Sequence, residues 1–191
     1  MIRGLLNTMK IIAGLNKGRY LKVAKSGMRP TRAIVRSAIF NILRDHICNA
    51  NLIDIFAGTG ALGLEALSQG AKSCVFVEKN PRILLNNIKH LKLQKKIQVI
   101  KQDFRPALKY LRGEKFDIAF IDPPYKGEFV SETLKLICFY QLIEEQGIIV
   151  AEYARFNRLV IPQEYIVLKE KRYGDTSVSF LKLKYNDRGQ A

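Results

Sequence analysis

Tryptophan is absent from the 191 residues, histidine occurs only as His46 and His90, and cysteine only as Cys48, Cys74 and Cys138. Ligands so few and so widely spaced offer neither a disulfide framework nor a zinc-binding spacing, and the cysteines are expected as small buried apolar residues. No apolar run approaches the roughly 18 residues that a membrane span requires, and the opening MIRGLLNTMK lacks the long apolar stretch of a secretory signal. A cytoplasmic location is therefore expected. Acids are scarce as well: 17 Asp and Glu stand against 32 Lys and Arg, for a formal net charge of +15. The deficit is local, because residues 1–50 hold ten basic residues against the single acid Asp45. Such a concentration is the electrostatic footprint of a protein that meets a polyanion, although many basic proteins use their charge only to stay soluble.

What is present is an ordinary globular composition, 48% hydrophobic and 26% charged, in a chain long enough for one continuous core. From Asn51 onward short β-type runs alternate with helical patterns, as in an α/β domain with a mostly parallel sheet. The strands are expected at Leu52 to Phe56, Ser73 to Glu78, Ile97 to Ile100, Phe116 to Ile121, Gly147 to Glu152, Tyr165 to Lys171 and Ser177 to Lys184. Helices are expected at Ala61 to Ser68 and Pro81 to Leu93, the latter capped by Asn80 with Pro81 in its first turn. Only Tyr173-Gly174-Asp175-Thr176 separates the last two strands, too short for a crossover helix, so they should pair antiparallel. The fold class is thus α/β: a mostly parallel seven-stranded sheet closed by a C-terminal antiparallel hairpin.

Before Asn51 the pattern changes. Lys10 to Val23 reads as two short strands about the Asn16-Lys17-Gly18 turn. Arg32 to Leu43 reads as an amphipathic helix with Ile34, Val35, Ala38, Ile39, Ile42 and Leu43 on one face. The expected organisation is a basic appendage at 1–50, a main domain at 51–185 and a tail at 186–191. Four strands end at or near an acid: Glu78, Asp103, Asp122 and Glu152. Ligands of open α/β sheets bind outside the carboxyl ends of the strands, so these acids face the expected site.

The first motif, Asp54-Ile-Phe56-Ala-Gly58-Thr-Gly60-Ala-Leu-Gly63, lies where the first strand of the main domain turns into its helix. Glycines there let the backbone approach a ligand and leave helix N–H groups pointing at it. The same glycines satisfy the dinucleotide pattern G-x-G-x-x-G, so alone they leave a nicotinamide cofactor and S-adenosylmethionine both open. Asp54 favours the latter: a carboxylate repels a pyrophosphate and attracts the ammonium of a methionine moiety. Glu78 is placed to accept from both ribose hydroxyls of an adenosine. Asp103 could accept from its amine, and Phe104 could pack on its ring.

The second motif is Asp122-Pro123-Pro124-Tyr125, directly after the apolar strand Phe116 to Ile121. Two prolines stiffen the backbone and remove two donors, leaving one carboxylate and several carbonyls in a fixed array. Such an array suits an exocyclic base amine, whose lone pair is delocalised into the ring. Accepting its N–H bonds favours the pyramidal form that can attack a methyl sulfonium. Tyr125 offers a flat face to a base taken out of its stack. By itself this chemistry serves guanine N2, adenine N6 or a protein glutamine alike.

On these residues the sequence resembles the RsmD family of 16S ribosomal RNA (guanine-N2)-methyltransferases, over nearly the whole chain from Met9. The resemblance runs through Ile11 to Gly14 with Lys17-Gly18-Arg19, Arg29-Pro30-Thr31, Val35-Arg36 and Phe40 to Leu43. It continues through Asp54 to Gly63, Phe76 to Glu78, Phe116-Asp117, Asp122 to Tyr125 and the closing Tyr173 to Thr176. Met1 to Thr8 extend beyond the usual family start, and Thr59 stands where Ser is common. The resemblance implies a Rossmann-like methyltransferase fold, S-adenosylmethionine as cofactor and methylation of one guanine in 16S rRNA of the bacterial small subunit, with no metal. Arg19, Arg29, Arg32 and Arg36 are the expected RNA-binding residues, and a monomer is the expected state. Two readings from other classes stand beside this one: an NAD-dependent oxidoreductase using the glycine loop, and an RNA-binding module without catalysis.

Overall fold

The computed structural model describes residues 8–23, 30–93, 96–124, 128–156 and 159–184, with the side chains of 30–32 outside that description. A short antiparallel pair, β1 (Thr8–Lys10) and β2 (Tyr20–Lys22), precedes the helix α1 (Pro30–Ile47). Next come β3 (Asn51–Ile55), α2 (Ala61–Ser68), β4 (Ser73–Val77), α3 (Arg82–Leu91) and β5 (Ile97–Ile100). The chain continues through α4 (Phe104–Tyr110), β6 (Phe116–Ile121), α5 (Phe129–Phe139) and β7 (Ile143–Ala154), then ends in β8 (Tyr165–Tyr173) and β9 (Thr176–Leu183).

Seven strands form one sheet in the order β5-β4-β3-β6-β7-β9-β8, with β9 antiparallel to both neighbours and the other pairs parallel. The expected mostly parallel sheet with a C-terminal antiparallel hairpin is what the structure shows. Side chains alternate between the two faces of a strand, and here both faces are apolar. Leu52, Phe76, Ile118, Phe120 and Val150 pack with α1, α2 and α3 on one face, and Ile53, Val77, Ala119 and Ile121 pack with α4 and α5 on the other. From β3 the chain builds outward to β5, then returns to lay β6 on the opposite side of β3. The resulting switch point between β3 and β6 is where a crevice opens at the carboxyl ends of an α/β sheet.

The N-terminal segment packs on the α1–α3 face, with Ile11, Leu21, Val35, Ile39 and Leu43 in the same apolar cluster as Leu64 and Phe120. It is also held by polar bonds. The buried Glu65 carboxylate of α2 accepts from the backbone N–H groups of Ile12 (2.8 Å) and Ala13 (3.0 Å), and Ser68 Oγ accepts from Asn16 N (2.9 Å).

Several local expectations need correction. The core-facing stripe of α1 is rotated from the apolar one read above: Ile34 is 60% exposed, while Arg36 is buried with Val35, Ile39, Phe40 and Leu43. Asn80 does not cap α3. Pro81 occupies the cap position without a side-chain bond, and Asn80 instead gives its backbone N–H to Glu78 Oε1 (2.8 Å). Cys48 is exposed just beyond the end of α1, whereas Cys74 is buried and Cys138 half-buried. Helices α4 and α5 join those expected; α4 starts at Asp103, whose side chain accepts from Arg105 N, and buries Phe104, Ala107 and Leu108 at helical spacing.

Candidate functional site

At the switch point lies a cavity of about 590 Å³ whose walls include Asp54, Phe56, Gly58, Glu78, Asp103, Phe104, Asp122, Pro123 and Pro124. Residues from four strand ends, far apart in sequence, therefore share one space. Gly60 lines no part of the wall but shapes it. Its φ is +79°, and a Cβ there would lie 2.4 Å from Leu84 Cδ1, so only glycine lets the loop close onto α3. Phe56 also has a left-handed backbone (φ 70°), a strained conformation held where the strand turns into the loop.

The floor is acidic. Asp54, 2% exposed at the end of β3, accepts from Gly63 N (3.0 Å) in the first turn of α2. Burial pushes its pKa up to about 7, Gly63 opposes the shift, and the nearby charges of Asp122 and Glu78 add to it. Glu78 is pinned by two backbone amides, accepting from Gly58 N (2.8 Å) through Oε2 and from Asn80 N (2.8 Å) through Oε1. Both oxygens retain acceptor capacity toward a ligand. Three carboxylates this close to one glycine loop disfavour a pyrophosphate and favour a cationic ligand.

One side wall is aromatic. Phe56 and Phe104 rings lie 4.8 Å apart, and Phe129 of α5 meets Phe104 edge-on at 5.9 Å. Arg105 stacks its guanidinium over Phe104 at 4.5 Å and grips Glu132 through two bonds of 2.5 and 2.6 Å, tying α4 to α5 behind that wall. Asp103 is engaged by Lys79 (2.8 Å) and Arg105 (3.4 Å), and these cations together with Arg105 N hold its carboxyl below the ordinary value against the opposing desolvation.

Asp122 follows β6 by one residue, half-buried, with Pro123 buried and Pro124 exposed. Tyr125 lies outside the described residues, as do Arg29 and the side chain of Arg32. The other two expected RNA-binding arginines are engaged within the fold. Arg19 donates to Asn16 Oδ1 (3.2 Å) and to the His90 carbonyl, pinning the hairpin to the end of α3. Arg36, 5% exposed, is no part of a docking surface. Its Nη2 donates to the Lys10 carbonyl (2.5 Å), its Nε lies 3.9 Å from Glu65 Oε2, and it lines the cavity. Burial pulls its guanidinium below the usual value, with Glu65 opposing.

The model of the family described as conserved hypothetical protein 95 matches residues 9–182. The chain belongs to this family. It is 35% identical over 175 residues to the Haemophilus influenzae protein named "Ribosomal RNA small subunit methyltransferase D", a match covering 88% of this chain and 91% of that one. The Escherichia coli protein of the same name is 33% identical over 175 residues, covering 88% and 87%. Among solved structures, the yhhF protein of Escherichia coli superposes with a TM-score of 0.81 at 28% identity, covering 94% of this chain and 99% of that chain. The resemblance drawn from the sequence motifs is thus borne out.

The cavity also contains residues that sequence reasoning did not assign to it. Met9 and Val23 reach it from the N-terminal hairpin, and Phe129, Lys79 and Arg36 also line it. Glu152, a strand-end acid expected to face the site, lines it too; its place at the end of an apolar strand was its signal. Arg36 carried a misleading one, because a lone cation on an amphipathic helix reads as a solvated face.

Proposed function

We propose that the protein is an S-adenosylmethionine-dependent methyltransferase that modifies the exocyclic N2 amine of one guanine in bacterial 16S rRNA, acting as a cytoplasmic monomer on the small subunit or an assembly intermediate. One observation carries the reading: across the β3/β6 switch, a cationic-ligand pocket built on Asp54, Gly58 and Glu78 opens into the same cavity as Asp122-Pro123-Pro124. The names of the relatives at 35% and 33% identity support ribosomal RNA as the substrate. Among the described residues no helix is long and apolar enough to cross a membrane.

The residues present fit the cofactor. Asp54 would face the ammonium, Glu78 the ribose, and the Phe56–Phe104 wall the adenine; bound there, S-adenosylmethionine supplies a methyl carbon made electrophilic by its sulfonium. The chain does the rest. Asp122 and a carbonyl of the proline pair accept the amine hydrogens, turn the nitrogen lone pair out of conjugation and aim it at the methyl group. With the methyl–sulfur bond breaking as the N–C bond forms, Asp122 would be the acceptor through which the surplus amine proton leaves. The test is to incubate the protein with ribosomal particles and labelled cofactor, then analyse nucleosides by mass spectrometry. N2-methylguanosine is expected, N6-methyladenosine would replace the guanine assignment, and tight NADH binding without cofactor binding would overturn the reading as a whole.

A further inference from the structure

The Asp-Pro-Pro segment explains how an amine is activated but not which base brings it, since adenine and guanine both carry one. Two buried charged groups in the same cavity have no part in that chemistry. Glu152, 6% exposed, stands near the end of β7, and the pairing of Ile121 with Ala151 puts it beside Asp122 across the β6–β7 ladder. Val150, two residues earlier, and Val178, the β9 partner of Glu152, both belong to the apolar cluster on the α1 face, so Glu152 points to that face too. From α1, Arg36 closes the cavity on the same side. Its Nε and Nη1 are buried and have no hydrogen-bond partner among the described residues. Leaving such donors unmet is costly in a folded protein, so their placement in a ligand cavity signals an acceptor to come.

We infer that Asp122, Glu152 and Arg36 together read the Watson–Crick edge of a flipped guanine, with Glu152 and Arg36 as the specificity residues. Along that edge guanine presents an N2 amine, an N1–H donor and the O6 acceptor; the cavity presents a carboxylate, a second carboxylate and a buried cation. Adenine places a lone pair at N1, which a carboxylate repels, and no oxygen at C6 for the arginine. The inference rests on the guanine reading proposed above and adds how the base is chosen.

The test uses the full chain saturated with S-adenosylhomocysteine and measures the affinities of guanosine, inosine, 1-methylguanosine and adenosine by NMR titration. Guanosine and inosine, which share N1–H and O6, should bind at least about tenfold tighter than the other two. Glu152→Gln, nearly isosteric, should narrow that gap by about tenfold with thermal midpoint and S-adenosylhomocysteine affinity unchanged, because an amide can donate to adenine N1. Arg36→Lys should weaken guanosine and inosine selectively. Equal affinity of the wild type for guanosine and 1-methylguanosine, no guanosine binding at all, or an undiminished gap in Glu152→Gln each overturn the proposal. An Arg36→Lys loss confined to S-adenosylhomocysteine would place Arg36 against the cofactor carboxylate instead and overturn its part. Nucleoside analysis of modified rRNA separates the two readings. N2-methylguanosine without nucleoside discrimination sinks this inference alone, and N6-methyladenosine sinks both.

Discussion

Asp54 is a buried acid whose chemistry departs far from its ordinary behaviour, and its consequences for binding and for stability have opposite signs. With a pKa near 7 in the fold against about 4 in the unfolded chain, it favours folding fully below about pH 4, and that contribution is lost as pH rises through 7. Asp54→Asn keeps an acceptor for Gly63 N and removes the buried charge, so above neutrality its thermal midpoint should exceed that of the wild type. The ammonium of the cofactor, by contrast, needs the ionised carboxylate. Calorimetry should show cofactor affinity climbing about tenfold per pH unit below 7 and levelling above it, with a flat profile in Asp54→Asn; a flat wild-type profile would remove Asp54 from the binding site. Asp122 should behave differently, because it is proposed to hold the amine and not the cofactor. Asp122→Ala is expected to lower kcat by roughly 10²- to 10³-fold while S-adenosylhomocysteine affinity stays at the wild-type value, and an unchanged turnover number would end that assignment. Both acids were legible in the sequence, since each sits at a strand end beside a stiff or glycine-rich loop. Glu152 was visible as an acid without a role, because pairing across β6 and β7 is what sets it next to Asp122.

Among the elements, α2 shows how a cofactor loop is kept in place. Gly63 lies where a Cβ would stand 2.4 Å from Phe76 Cε1 and 2.7 Å from Cys74 Sγ, so α2 rests directly on β4. Gly63→Ala must lift the helix, at a cost of about 1–3 kcal/mol, and because Gly63 N also holds Asp54, cofactor affinity should fall together with the thermal midpoint. A variant that melts as the wild type does would show that the contact is loose. The Ala61–Ser68 helix was read correctly because glycines punctuate its start and its pattern is mostly apolar. Helices α4 and α5 were missed for different reasons. The first has seven residues and a proline in its first turn, and the second follows a segment whose prolines had already been read as a rigid loop. For α1 the periodicity was right and so was most of the face, with Val35, Ile39 and Leu43 buried and Ile34 the exception. Ile34 and Arg36 exchange the environments their side chains suggest, and the Lys10 carbonyl, the Glu65 carboxylate and the cavity between α1 and the sheet together account for the buried arginine.

For the whole molecule, the charge asymmetry visible in the sequence sorts into two populations. Arg19 and Arg36 are tied into the fold, so replacing either should lower the thermal midpoint. Arg29 and Arg32 are proposed to meet phosphates. Their double alanine variant should weaken binding to ribosomal particles and flatten the log–log salt dependence by about one unit per lost contact, without altering the melt. Wild-type affinity and slope in that variant would defeat the docking proposal. The hairpin's amides on Glu65 and Ser68 join the N-terminal segment to the helix that carries the cofactor loop, a connection across more than fifty residues that no local pattern announces. A second long-range arrangement governs how the chain is made. In the order β7-β9-β8, the final strand described is the one that separates β7 from β8, so β8 has no partner and β7 is paired on its β6 side alone until Thr176–Leu183 has been synthesised. A nascent chain that has already displayed Asp54, Glu78 and Asp122 still carries the open edge of β7 and lacks the apolar cover of Val178, Phe180 and Leu181. Open edges of this kind invite pairing between chains. A chain cut short before Thr176 is therefore a substrate for chaperones and proteases, although every residue proposed for chemistry is already in the polypeptide.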